Sequence, residues 1–286
     1  MSTHNENERT FQPMNFGVIS MALKPEGASC SQGERTEEPP VLFVRRMEMS
    51  YGSEVLMRDI TFTVGRSEVM IIMGGSGSGK STLMKYLIGL KEVERGDIFC
   101  YGRSFSKASD EERKEIQKGF GVLFQGGALW SGLTLAENIG LPLEQYTALS
   151  TREIREIASF KLALVGLKGF EDYYPSEISG GMVKRAGLAR AMALDPPLLY
   201  LDEPSAGLDP ISSRRLDDLI LHLRDSFGTT IVVVSHELAQ IFAIGDNSIF
   251  LDVEAKTITA RGNPRELIEN SKTDSKVREF LRRGVS

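Results

Sequence analysis

The residues Gly74-Gly75-Ser76-Gly77-Ser78-Gly79-Lys80-Ser81 join the backbone freedom of glycine to one cation and one terminal hydroxyl. They fit the spacing G-x-x-x-x-G-K-[ST]. In that pattern a tightly wrapped backbone turns successive N–H groups, and the start of the following helix, onto phosphate oxygens. Lys80 then reaches the β- and γ-phosphates, and the Ser81 hydroxyl is placed for Mg²⁺. A flexible turn with an incidental lysine would carry the same letters. Context favours the phosphate reading: a continuous apolar run at 69–73 precedes the loop and a helical pattern at 81–90 follows it.

Two further groups extend that chemistry. Leu198-Leu199-Tyr200-Leu201-Asp202-Glu203 is an apolar strand ending in two carboxylates, placed where open α/β sheets bind ligands. Asp202 suits Mg²⁺, and Glu203 suits the polarising of an attacking water. Alone, adjacent acids are more often a solvated strand end; a phosphate loop in the same chain reverses that preference. Ser179-Gly180-Gly181 opens a helical stretch, and its free N–H groups could form a second anion site. The plainer alternative is an ordinary N-cap.

These groups need a frame. Strands are expected at 41–49, at the alternating Ile60, Phe62 and Val64, and at 69–73, 96–101, 120–124, 198–201 and 231–234. Helices are expected at 81–90, after Gly180-Gly181 and at 212–225. Between 134 and 169 the character is helical, with Ile154, Ile157, Ala158, Leu162 and Val165 forming one apolar stripe. The β-α-β-α rhythm predicts an α/β fold with a mostly parallel sheet, and an antiparallel β edge is expected beside that phosphate-loop core. Residues 103 to 196, apart from 120–124, read as a helical subdomain inserted in that core. No internal repeat or long heptad run appears.

Composition excludes other classes. A net charge of −5 argues against nucleic acid as the main ligand. Two cysteines, Cys30 and Cys100, make no disulfide framework or zinc pattern, and three histidines leave a metal cluster without ligands. Both facts suit a reducing cytosol. No apolar stretch has the length of a membrane span. The segment 16–23 lacks the basic flank of a signal peptide, so the chain is expected to stay on the cytoplasmic side. Residues 1–39 are polar and read as a disordered tail before a domain at 40–268, with a C-terminal extension at 269–286.

Together these elements resemble the ATP-binding subunits of ABC transporters, over about 41–268. Tyr51 resembles the aromatic residue that stacks on adenine, although alone it would read as a packed aromatic. Gln125 resembles the Q-loop glutamine that senses Mg²⁺ and the membrane subunit. Ile178-Ser179-Gly180-Gly181-Met182 resembles the signature and Ser205-Ala206-Gly207-Leu208-Asp209 the D-loop. His236, otherwise a strand-end histidine, resembles the switch residue that touches the γ-phosphate. One departure stands out: the signature usually ends in glutamine, whereas Met182 cannot donate a side-chain hydrogen bond. The run from Ser179 to Arg190 is instead similar to the branch serving Mce-associated, Mla-type lipid transporters. So are the stretches 124–130, 207–212 and 277–281.

The resemblance implies hydrolysis of ATP to ADP and phosphate with Mg²⁺. Glu203, His236 and Gln125 would be catalytic, and Ser81, Gln125 and Asp202 would hold the metal. ATP would meet Tyr51, Gly74, Gly75, Ser76, Gly77, Ser78, Gly79, Lys80, Ser81 and Thr82, with Ser179, Gly180, Gly181 and Asp209 completing the site. It further implies a head-to-tail homodimer, each ATP lying between the phosphate loop of one chain and the signature of the other. An integral membrane permease would hold the dimer on the cytoplasmic face of the inner membrane, and phospholipid would be the cargo, with an Mce-domain lipid-binding protein as partner. Three rivals remain: the same motor serving another small molecule, a non-transport ABC ATPase acting on DNA or ribosomes, and a nucleotide-binding regulator without turnover, which the presence of Glu203, Gln125 and His236 disfavours most. The second is disfavoured by the absence of a long coiled coil, a second cassette or a basic excess.

Overall fold

Alternation of buried and exposed side chains builds the first sheet. The computed structural model describes residues 39–283 apart from Ser53, so the tail expected at 1–39 falls outside the described residues but for its last position. Strand β1 (Leu42–Tyr51) pairs antiparallel with β2 (Glu54–Val64), with Leu42 opposite Val64 and Val44 opposite Phe62. On the other edge of β1 lies β4 (Asp97–Cys100), followed by the short β5 (Arg103–Ser104). This is the antiparallel part expected of the fold.

The second sheet has the order β10 (Thr257–Gly262), β9 (Asn247–Asp252), β3 (Val69–Gly74), β8 (Thr230–Val234), β7 (Leu198–Asp202), β6 (Phe120–Leu123). All neighbours are parallel except β10, which runs antiparallel on β9. Every residue of β3 and β8 is buried, the pattern of a sheet covered on both faces. Strand period divides their side chains between two cores. Ile71, Leu199, Leu201, Ile231 and Val233 face one, while Met70, Ile72, Leu198, Tyr200, Val232 and Val234 face the other with the first sheet.

Helix starts are written by short polar residues. Ser109, Thr134 and Ser150 form capping boxes with Glu112, Glu137 and Glu153, starting α2 (Asp110–Gln117), α3 (Leu135–Tyr146) and α4 (Thr151–Leu164). The expected helical stretch 134–169 is therefore two helices, broken where Ser150 captures the backbone. Ile154, Ala158, Leu162 and Val165 are buried, and Ile157 packs beside them. The α3 and α4 pair and α5 (Gly180–Ala191) share one apolar cluster, whereas Ile116 of α2 joins the other, beside the first sheet. Within 103–196, then, α3, α4 and α5 pack together as helices, and β6 belongs to the core sheet.

Helix α1 (Lys80–Leu87) ends before the expected Leu90, because Gly89 turns the chain at a φ of 79°. Helix α6 (Pro210–Phe227) lies between β7 and β8, and α7 (Leu238–Ile244) follows β8. The sequence pattern predicts no element between 235 and 268. There the structure has α7, the β9–β10 pair and α8 (Pro264–Glu269). Within 269–286, α9 (Ser275–Arg282) buries Val277 and Leu281 against the core and sets Phe280 edge-on to Phe250.

A buried acid joins α6 to α7. Asp217 Oδ1 accepts from Gln240 Nε2 at 2.7 Å, and both residues are buried. Burial is the main cause that pushes the Asp217 carboxyl up from 3.8 to about 6, against the pull of the Gln240 hydrogen bond. Because the folded value lies above the unfolded one, ionisation costs stability; the penalty is absent below about pH 4 and complete above about pH 7. Asp217→Asn keeps the shape and removes the charge, so Tm should rise by a few degrees at about pH 7.5, most of that gain vanishing by about pH 4.5. Equal shifts at both pH values, in calorimetry or by circular dichroism, would show that the buried charge is not the cause.

Candidate functional site

Register brings the chemistry to one edge. Ile72 lies beside Val234, Val234 beside Asp202, and Leu201 beside Leu123. The loop after β3, the Ser235-His236 pair after β8, the acids ending β7 and Gln125 beyond β6 therefore leave the sheet at its C-terminal edge. Ligands bind at that edge in open α/β sheets.

The loop after β3 wraps with Gly74, Gly77 and Gly79 at φ values of 153°, 75° and 86°. A Cβ on Gly74 would stand 2.7 Å from the Leu251 carbonyl, so side chains are barred there by contact as well as by backbone conformation. Lys80 is buried, and its Nζ donates to the carbonyls of Gly74 at 3.0 Å and Gly75 at 2.9 Å. Burial pulls its pKa down; the charges of Glu203 and Asp202 counter that pull. Ser81 Oγ donates to Asp202 Oδ1 at 3.1 Å, and burial raises the Asp202 carboxyl above its ordinary range. Ser78 Oγ is buried without a hydrogen-bond partner, a polar atom held ready inside the loop. Thr82 is half-buried in the first turn of α1.

Glu203 is the most constrained residue of the site. It is buried, with φ at 51°, and its N–H donates to the Val234 carbonyl at 2.9 Å. His236 Nδ1 is hydrogen-bonded to Glu203 Oε1 at 2.7 Å, while Oε2 is buried and has no partner. That free oxygen can take a proton from a water drawn between it and a phosphate. His236 itself is exposed.

The remaining candidates stand apart. Ser179 caps α5, its Oγ accepting from the Met182 N–H at 3.3 Å, so within one chain the plain N-cap reading describes it. Ser179 and Gly180 are exposed and Gly181 is half-buried. Asp209 caps α6, accepting from the N–H groups of Ile211 and Ser212, both at 3.0 Å. The Ser212 hydrogen bonds hold its carboxyl below the usual carboxylate range. Tyr51 is 73% exposed at the end of β1, with the Lys91 ammonium 5.2 Å from its ring centroid. Gln125, Gly75, Ser76 and Gly77 are exposed as well. Among the described residues no hydrogen bond joins Ser179, Gly180, Gly181 or Asp209 to the group around Lys80.

Three residues that the sequence reading passed over hold these loops. Arg190 of α5 donates to the carbonyls of Ala128 at 2.7 Å and Gly127 at 3.1 Å, securing the turn after Gln125. Asn138, fully buried, accepts from the Trp130 N–H and donates to the carbonyls of Trp130, Leu133 and Thr134. Lys184 donates to the carbonyls of Glu203 and Ala206. The available signal was a helix of small residues with cations embedded in it: a Cβ on Gly187 would meet the Gly127 carbonyl at 3.0 Å.

The sequence model of the ABC transporter family matches residues 57–206. The chain belongs to the ABC transporter family. Among its relatives, the probable ribonucleotide transport ATP-binding protein mkl of Mycobacterium tuberculosis is 42% identical over 238 residues, covering 83% of this chain and 65% of the relative. This ABC chain thus spans about two thirds of the length of the mycobacterial relatives it matches. The intermembrane phospholipid transport system ATP-binding protein MlaF of Haemophilus influenzae is 37% identical over 239 residues, covering 84% of this chain and 89% of the relative. Among solved structures, the ATP-binding cassette MJ0796, a dimer bound to ADP and Pi in a post-hydrolysis state, superposes with a TM-score of 0.72 at 28% identity. It covers 78% of this chain and 98% of that one. The cbiO1 cassette of Clostridium perfringens superposes with a TM-score of 0.73 at 26% identity, covering 85% and 96%. These ABC cassettes share the α/β core expected from the sequence.

Proposed function

We propose that this chain is the ATP-hydrolysing subunit of an ABC transporter that moves phospholipid. The observation that carries the catalytic reading is the Glu203 carboxylate, buried, aimed by His236 and left with one oxygen unpartnered beside the phosphate loop. ATP would take its phosphates into the N–H groups of residues 74–82, where Lys80 exchanges backbone carbonyls for phosphate oxygens. Ser81 and Asp202 offer Mg²⁺ an all-oxygen pair of the kind this hard cation prefers, with Gln125 at the neighbouring strand end. The cation would neutralise charge on the phosphates. Glu203 accepts the proton of the attacking water, phosphate leaves with that oxygen, and ADP departs. His236 orients Glu203 and sits where a γ-phosphate would approach. Tyr51, with its exposed ring, offers the adenine a stacking surface.

The composite site explains what a single chain leaves unused. Ser179, Gly180 and Gly181 present an exposed helix start and Asp209 an exposed cap, away from the chain's own phosphate loop. A second copy packed head to tail would bring them to the nucleotide, and the dimeric state of the MJ0796 cassette supports the pairing of two copies. No helix among the described residues is long and apolar enough to cross a membrane. Work at a membrane would therefore pass through an integral permease, docked near Gln125 and the exposed Trp130, on the cytoplasmic face of the inner membrane.

Phospholipid is the favoured cargo because the match to the MlaF relative covers 84% of this chain and 89% of that one, whereas the match to mkl leaves about a third of that relative unaccounted for. An Mce-domain lipid-binding protein would be the further partner. The name of mkl favours ribonucleotide as the second reading.

Two measurements test this account. Glu203→Gln should keep ATP affinity and lower turnover by at least about a hundredfold, the scale of a lost general base. Near-normal turnover would remove Glu203 from that role. In the complete membrane complex, lipid transfer between vesicles should require ATP, and phospholipid should co-purify. A complex that moves ribonucleotide, with lipid transfer indifferent to ATP, would replace the cargo and leave the ATPase in place.

A further inference from the structure

Glu203 is not a glycine, yet its backbone lies in the left-handed region at φ 51°. A residue with a Cβ stays there only when surrounding contacts over-determine it. Three contacts do so. The Glu203 N–H is tied to Val234, its carboxylate to His236, and its carbonyl receives Lys184 Nζ at 3.1 Å. The same ammonium also donates to the Ala206 carbonyl. Glu203 to Ala206 is a turn closed by the Ala206 N–H on the Glu203 carbonyl at 3.3 Å. Lys184 therefore spans the first and last carbonyls of the turn that begins at Glu203, an interaction that a neutral apolar side chain cannot make. Lys184 is itself buried at 9% exposure, on α5, in a position the nucleotide chemistry does not call for. Burial pulls its pKa down, and the negative charges of Glu237 and Glu203 oppose that pull.

We propose that Lys184 is a positioning residue for hydrolysis: its ammonium clamps the carbonyls of Glu203 and Ala206 and so holds Glu203 in the backbone conformation that aims its carboxylate. The inference rests on the reading of Glu203 as the base. None of the hydrogen bonds of Lys184 reaches Lys80, Ser81 or Asp202, so the clamp acts on the water-activating group and not on the phosphate loop. It also joins Glu203 to the helix whose first residues are exposed, so a nucleotide brought to Ser179 by a second copy would bear on the same helix that fixes the base.

The experiment uses the full chain and four forms: parental, Lys184→Met, Glu203→Gln and the double variant. ATP affinity and single-turnover hydrolysis are read on each. Lys184→Met keeps the stem and removes the donors. It should lower turnover by about tenfold to a hundredfold, the scale of a misplaced catalytic group, with ATP affinity within about twofold of parental. Because Lys184 acts through Glu203, adding Lys184→Met to Glu203→Gln should lower turnover little further. Lys184→Arg, which keeps the cation and its donors, should stay within about threefold of parental. Turnover of Lys184→Met within about twofold of parental overturns the proposal. So does a loss of affinity equal to the loss of turnover, or a full multiplicative loss in the double variant. If Lys184→Met does not fold, Lys184→Gln, a neutral amide with two N–H donors on a stem one atom shorter, runs the same cycle under the same criteria. A Glu203→Gln variant with near-normal turnover instead sinks the reading of Glu203 as base, which separates that failure from failure of the clamp.

Discussion

A buried ammonium turned onto two backbone carbonyls is the interaction around which this molecule is arranged. Lys80 can sit on the carbonyls of Gly74 and Gly75 only because the loop doubles back at Gly74, where a Cβ would strike the Leu251 carbonyl. That contact exists because β9 lies beside β3 with Leu251 opposite Gly74. A cation held by neutral carbonyls is under-compensated: burial lowers the pKa of Lys80, and the charges of Glu203 and Asp202 oppose that pull only in part. The site is thus set to exchange weak carbonyl partners for an anion. Phosphate is the anion that the loop's free N–H groups fit.

The same logic governs the acids. Asp202 ends its strand against Ser81, and Glu203 turns out of the strand into a left-handed conformation fixed by contacts from β8, from His236 and from α5. Helix α5 is therefore a strut as well as a helix cap. It sends Lys184 to the turn after β7, Arg190 to the turn after β6 and Arg185 to the carbonyl of Val165, while its own N-terminus faces outward. Met182 fits this picture. It supplies its backbone N–H to Ser179 and packs its thioether on the apolar core, so the missing glutamine amide removes no contact that this chain makes.

Much of this was legible in the sequence, because the groups that bind phosphate are local. The glycine loop, the acids ending an apolar strand and the serine before Gly180-Gly181 each declare themselves within a few residues, and the structure places each on the expected kind of element. What stayed hidden depends on partners distant in the chain. Lys184 and Arg190 lie in the run from Ser179 to Arg190, and nothing local shows the carbonyls that the fold brings to them. The β9 run at 248–251 is too short to separate from a helix segment by periodicity. Its place beside β3 is a matter of pairing rather than local pattern. The break between α3 and α4 was available in the Ser150–Glu153 capping box but was masked by the apolar stripe that follows it. Tyr51 and Asp209 were recognised by resemblance alone, and so was the place of Ser179 in a shared site, since among the described residues no hydrogen bond connects any of them to Lys80.

That last separation is where the proposed sharing of the site between two copies can be tested. Lys80→Ala damages the phosphate loop of its own chain, and Ser179→Arg puts bulk at the helix start that would face the partner's nucleotide. In a mixed pair, one site receives both lesions and the other receives neither. Both are introduced in a Glu203→Gln background, and differently tagged chains are purified together and their bound nucleotide counted. The account predicts about one trapped ATP per mixed dimer, by the counting of a symmetric two-site interface, against little in either parent homodimer. Mixed dimers that form yet trap no more ATP than the parents would contradict it.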